Sequence, residues 1–139
     1  MAANSRFAVA VHALAVLAWH TQAPCSSREI AASVATNAVV IRRLLGQLAR
    51  AGVVEASYGA RGGFRLARPA AKISLRDVYA AVEEGGFFAL RETLNDKCPI
   101  ACRMKSILND VFSRVEAKVL PELKRTTLAD IVDDIETVA

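Results

Sequence analysis

Between Ser26 and Ala67, two short amphipathic segments are followed at once by two strand-like segments around a glycine-rich turn, and few folds accept that order. Ser26 or Ser27 places a hydroxyl acceptor before the free amides of a helix, with Glu29 in its first turn, and that helix runs to about Val34. Thr36 or Asn37 offers the next cap. Val40, Leu44, Leu45 and Leu48 then recur at helical spacing up to Ala51 and Gly52, where glycine can end the helix. Arg42, Arg43, Gln47 and Arg50 fall largely off this stripe, so one helix carries core on one side and cations on the other. Val53–Ser57 reads as a strand, Tyr58–Gly63 as a turn and Phe64–Ala67 as the returning strand. Two tightly joined helices with a hairpin behind them make a winged helix-turn-helix, whose second helix has the dimensions of a major groove.

The flanking segments complete the expected architecture. Ser5–His20 is apolar on almost every side and predicts a buried first helix. It does not read as a secretory signal: His12 interrupts it, and Thr21-Gln22-Ala23-Pro24 before Cys25 is no small-apolar cleavage site. Nor is it long enough to span a bilayer. Ser74 caps a helix through Glu84 that Gly85-Gly86 ends, and Phe87–Lys97 has no clear period. Asp96 or Cys98, with Pro99 behind it, starts the longest helix, whose Ile107, Leu108, Val111, Val115, Val119 and Leu123 keep heptad-like spacing across Pro121 and ask for a partner helix. Thr127 caps a short final helix with Leu128, Ile131 and Ile135 apolar. The expected fold is therefore mainly α with a small two-stranded β wing: a winged helix-turn-helix domain over 1–84, including the first core helix, a sensor or connecting loop over 85–97, and a long dimerisation helix with a C-terminal helix over 98–139. A 53% apolar chain of this size builds its core without metal or disulfide staples.

Charge is unevenly placed. Arg28 to Arg76 holds nine basic residues against Glu29 and Glu55 only, while the rest of the chain is net acidic although the whole is +4. One surface that meets a polyanion gives this pattern; a merely solvated basic face is the alternative. Thr36, Asn37 and Val39 occupy the end of the second helix that reaches base edges, Asn37 serving either as reader or simply as cap. Arg42, Arg43 and Arg50, with Ser27 and Arg28 at the start of the preceding helix, suit phosphates. Gly59-Ala60-Arg61-Gly62-Gly63 permits a tight turn with Arg61 at its tip, able to enter a narrow minor groove, Gly62 and Gly63 allowing close approach; a plain glycine hairpin is the alternative.

Several stretches together resemble the Rrf-two family of transcription regulators, which includes the IscR, NsrR and CymR types, and most nearly its YwnA-like branch. They are Ser5-Arg6-Phe7-Ala8-Val9-Ala10-Val11-His12, Thr36-Asn37-Ala38-Val39-Val40-Ile41-Arg42-Arg43, Gly59-Ala60-Arg61-Gly62-Gly63-Phe64-Arg65-Leu66, Ile73-Ser74-Leu75-Arg76-Asp77-Val78-Tyr79 and Lys97-Cys98-Pro99. The resemblance implies a homodimer joined through the long helix, with two winged units on a near-palindromic site in double-stranded DNA. Iron-sulfur members carry three cysteines where this chain has only Cys98 and Cys102, Cys25 lying in the DNA-binding part, so no cluster, other metal or cofactor is expected.

Three cysteines without a disulfide framework fit a reducing cytoplasm. Cys98, at a helix start with Lys97 and Arg103 close by, is in the setting that makes a thiol reactive, and Cys102 follows one turn later. A redox switch joining Cys98 to Cys102, or to Cys25 of a second copy, stands against ordinary small packed residues. His12 reads as a satisfied core histidine and His20 as the end of the first helix. Phe87, Phe88 and Leu90 read as a flap over the core or the lining of a small effector pocket. No nucleophile with a base, paired-carboxylate cleft, P-loop or zinc spacing appears, so the chain is not read as an enzyme. The expected function is a sequence-specific regulator, a repressor in the first instance. The alternatives are a winged-helix module that binds protein without specific DNA binding, and a ligand-responsive regulator with no redox role.

Overall fold

The computed structural model describes residues 3–88, 90 and 95–138, with residues 3 and 4 described as backbone only. Helix α1 (Ala3–Trp19) lies at the centre of the molecule, with Ala10, Ala13 and Leu14 completely buried. Small side chains every third or fourth residue let other helices approach closely, so α1 packs against α2 (Ser27–Val34), α3 (Ala38–Arg50), α4 (Leu75–Val82) and α6 (Leu128–Val138). Ile30, Ile41, Leu45, Leu48, Val78 and Leu128 close the same core.

Local chemistry sets the helix ends. Ser26 accepts from the Glu29 N–H at 3.2 Å while Glu29 takes the Ser26 N–H at 2.6 Å, a reciprocal capping box. Ser74 with Asp77 does the same for α4, and Thr127 with Asp130 for α6. Between α2 and α3 the chain turns through Ala35 at φ 63°, a left-handed residue whose N–H closes on Ala31. Strands β1 (Val54–Ser57) and β2 (Gly63–Leu66) pair antiparallel, Val54 opposite Leu66 and Ser57 opposite Gly63. Cys25 adds a single rung, exchanging backbone bonds of 2.9 and 2.8 Å with Phe64.

Helix α5 (Pro99–Lys124) has no buried residue and runs on through Pro121. It meets α4 and the segment after it: the Tyr79 hydroxyl donates to Glu116 Oε1 at 2.8 Å, and Phe88 stacks on Phe112 at 4.7 Å. Phe87 lies flat on Tyr79 at 4.4 Å, which supports the flap reading of this segment. After α5 the chain returns to the core, where Leu128 N–H donates to Ile73 O at 3.0 Å. Residues 89 and 91–94 of the expected 85–97 loop lie outside the described residues. No described helix is long and apolar enough to cross a membrane.

Two expectations change. His12 is exposed, not a core residue; its ring meets Ser33 Oγ at 3.0 Å across α1 and α2. The apolar seam of α5 begins earlier than its heptad spacing suggested, at Ile100 and Met104, and is most exposed over its N-terminal half.

Burial pushes the Tyr79 phenol up from its ordinary value, and the Glu116 hydrogen bond and the charges of Glu83 and Glu116 add to it. A phenol raised on folding stabilises the native state fully below its unfolded value, about 10, and this contribution disappears as pH rises past its folded value. Tyr79→Phe is expected to cost about 1 kcal/mol at neutral pH. It should also flatten the alkaline loss of stability, as urea melts at neutral and strongly alkaline pH would show; equal alkaline slopes in both proteins would rule this out.

Candidate nucleic-acid interface

Helix α3 buries Ile41, Leu44, Leu45 and Leu48, which leaves Val39, Arg43 and Arg50 in a row on the opposite face, with Gly46 between the two arginines. Val39 is 57% exposed, an apolar group left in water at the N-terminal end of a helix otherwise well packed. Asn37 is the cap: its Oδ1 accepts from Val40 N–H at 3.0 Å, which leaves its NH₂ directed to no partner among the described residues. Thr36, half-buried, closes the last turn of α2 through its N–H to Ala31 O at 3.1 Å. Arg42 leans toward α2, its guanidinium 3.4 Å from Ser27 Oγ, so Ser27 and the exposed Arg28 stand beside the start of α3. Arg42 thus joins α3 to Ser27 at the start of α2, while Val39, Arg43 and Arg50 line one face of α3 behind its Asn37 cap.

The wing carries Arg61 exposed at its tip, where Gly62 N–H reaches Gly59 O at 3.0 Å and Gly59 takes φ 103°. Gly63 is accounted for by the chain's packing on itself: a Cβ there would lie 2.6 Å from Cys25 O. Gly62 likewise sits against the Ser57 and Tyr58 backbone. Glu55 and Arg65 stand opposite each other across the strands. Sequence reasoning passed over Tyr58, which is 94% exposed at the base of the tip, and Gly46, whose missing side chain opens the middle of the α3 face. The signals were present: an aromatic where the alternation offers it nothing to pack on, and a glycine inside a helix despite its cost of about 1 kcal/mol.

Gln47, grouped with the cations by spacing, is half-buried and bonded within the chain. Its amide donates to Glu84 Oε1 at 2.8 Å, and Arg6 ties the two together by contacting Gln47 at 3.5 Å, Glu84 at 2.9 Å and the Val82 carbonyl. Helix α3 is therefore linked through Arg6 and Glu84 to the segment that leads to α5.

The cysteines separate into two environments. Cys25 is buried beneath the wing, and burial, with the Glu29 charge, pushes its thiol up, away from the reactive thiolate. Cys98 caps α5 half-buried, and Cys102 is exposed with its thiol donating to Asp96 O at 2.7 Å. Residues one turn apart hold their Cβ atoms roughly 5–6 Å apart, and a disulfide needs about 3.8 Å, so joining these two requires the first turn of α5 to open. Two thiols there do not match a three-thiolate cluster set, and among the described residues no three His, Cys, Asp or Glu side chains gather as a metal site.

The comparisons with known proteins agree with this geometry. The helix-turn-helix-type transcriptional regulator YwnA of Bacillus subtilis is 35% identical over 133 residues, covering 95% of this chain and 98% of its own. The structure of CymR, described as the global cysteine regulator of B. subtilis, matches with a TM-score of 0.68 at 25% identity, over 96% of this chain and 97% of CymR. IscR of T. potens shares the fold, with a TM-score of 0.73 at 24% identity over 99% of this chain and 90% of that one. The Rrf2 model, described as iron-dependent transcriptional regulator, matches residues 3–134, and with YwnA's identity over nearly the full length of both chains it places this chain in the Rrf2 family of transcriptional regulators.

Proposed function

We propose that the chain works in the cytoplasm as a homodimeric, sequence-specific repressor bound to double-stranded DNA. The observation that carries this is the α3 face on which Val39, Arg43 and Arg50 align opposite the core, with Arg61 carried out separately on the wing. Asn37 and Val39 read base edges in the major groove, the amide through its unused NH₂ and the valine against a thymine methyl. Ser27, Arg28, Thr36, Arg42, Arg43 and Arg50 hold phosphates and fix register. Arg61 enters the minor groove at its narrowest point. The exposed seam of α5 joins two copies, so the two α3 helices fall on successive half-sites.

Oxidation at Cys98 and Cys102 is the proposed signal. Opening the first turn of α5 moves the segment that Arg6 and Glu84 connect to α3. Cys25, buried and bonded into the wing, is a packing residue in this scheme.

The test is a titration at fixed salt of DNA from upstream of the protein's own coding region against scrambled competitor. Reduced protein is expected to prefer its own DNA by about a thousandfold. Arg61→Ala should lose about tenfold on that site, and mild oxidant should release wild type but not Cys98→Ser. Equal affinity for both DNAs would favour the protein-interaction module, and an oxidant response retained by Cys98→Ser would remove the thiol switch.

A further inference from the structure

Opposite chemistry lines the far side of α1. Two hollows meet there at Ile135, one of about 550 Å³ between the end of α1, the loop after it and α2, the other of about 480 Å³ along α6. The first has the volume of a small-molecule site, roughly 300–1,000 Å³. Trp19 and Ile135 are 45% and 42% exposed in it, and Val138 is 89% exposed in the second. Large apolar groups stand in water around a hollow and an adjoining shallow face of α6 that share Ile135. The carboxylates lining the hollows are Glu29 in the first, with His12 and His20 beside it, and Asp134 in the second, and no Lys or Arg lines either, in a chain whose net charge is +4. A polyanion is repelled from such a place. An indole face beside carboxylates is the setting that attracts an organic cation. The Ser26 N–H bond, helped by the Ser26 hydroxyl and by His20, keeps the Glu29 carboxyl below its usual range and therefore charged.

We propose that these joined hollows bind a small aromatic ammonium or other lipophilic organic cation, with Trp19 against its ring and Glu29 and Asp134 drawing its charge, and that occupancy weakens DNA binding. The walls supply the coupling. Glu29 and Ser33 belong to α2, the helix that supports α3, and Cys25, on the floor, is bonded to Phe64 of the wing. A molecule wedged there bears on both elements whose relative position the DNA must match. The site does not depend on the DNA-binding reading; its effect on DNA does.

Trp19 is the chain's one tryptophan, so its emission reports occupancy directly. Benzyltrimethylammonium, titrated into the full chain, is expected to change that emission saturably, and benzenesulfonate, of similar size and opposite charge, is not. Glu29→Gln keeps the capping box, and Asp134→Asn alters an exposed helix position; each should weaken the cation about two- to fivefold, as expected for a single exposed charge contact. Equal response to both probes, no saturable response to the cation, or unchanged affinity in both variants would overturn the site. In a parallel titration, saturating cation should lower wild-type affinity for its own upstream DNA at least fivefold, and Glu29→Gln should need proportionately more cation for the same loss; binding that leaves DNA affinity unchanged would overturn the coupling. If DNA from that region shows no preference even without the cation, the repressor reading fails while the emission titration still decides the site.

Discussion

Replacing Ile107 and Val111 by aspartate is expected to yield a folded monomer whose affinity for a two-half-site operator is lower by about a thousandfold. Ile100, Met104, Ile107, Val111 and Val115 share one face of α5 at intervals of three or four residues, and each is at least 36% exposed. Fully burying such a side chain stabilises by about 1.5–3 kcal/mol, so a second copy of the same stripe is the natural cover, and a two-fold contact uses each residue twice. Four aspartates at the centre of such a seam would have to be desolvated without partners. Loss of the dimer removes the tethering of two DNA-binding units, worth about 10²–10⁴ in affinity. Because α5 has no buried residue within the chain, the substitutions should leave helix content and the core intact. Light scattering after gel filtration, with circular dichroism and the DNA titration, checks all three; a variant that stays dimeric with unchanged affinity would show that the seam serves something else.

Gly63→Ala is expected to destabilise the fold by about 2–4 kcal/mol, lowering the melting temperature by about 10 °C. Its Cβ would lie 2.6 Å from Cys25 O and 2.8 Å from Cys25 C, both backbone atoms held by the paired bonds between Cys25 and Phe64. Nothing flexible can yield, so the rung must break or the wing must tilt. Gly46→Ala supplies the contrast. Its Cβ meets only the end of Arg50 at 3.8 Å, and alanine in a helix gains up to about 1 kcal/mol. A melt in which Gly63→Ala matches wild type would mean that the wing accommodates the methyl group, and that the Cys25 rung holds little.

Much of this arrangement is visible in the chain itself. Ser26 with Glu29, Asn37, Ser74 with Asp77 and Thr127 with Asp130 announce helix starts, because a cap is made by side chains three residues from the amides they satisfy. The alternation around the glycine turn announces the wing for the same reason: its partners are near neighbours. The α3 face is equally legible, since Ile41, Leu44, Leu45 and Leu48 fix which way a helix turns and so where Val39, Arg43 and Arg50 must point.

What depends on distant partners was not legible. Spacing put Gln47 with the DNA-facing cations, and only packing α3 beside α1 and the end of α4 gave its amide to Glu84 and Arg6. Gly63 reads as part of a close-approaching glycine turn, and that Cys25, far back in the chain, lies against it appears only in the fold. His12 sits on an apolar helix yet faces out, because every side of α1 except that one is covered. The hollow around Trp19 is walled by α1, the loop after it and α2, with Ile135 brought to it by α6 after the long excursion of α5. Local hydrogen bonding and periodicity determined the elements and their faces; the meeting of segments far apart in sequence decided which polar groups stay exposed and where the hollows lie.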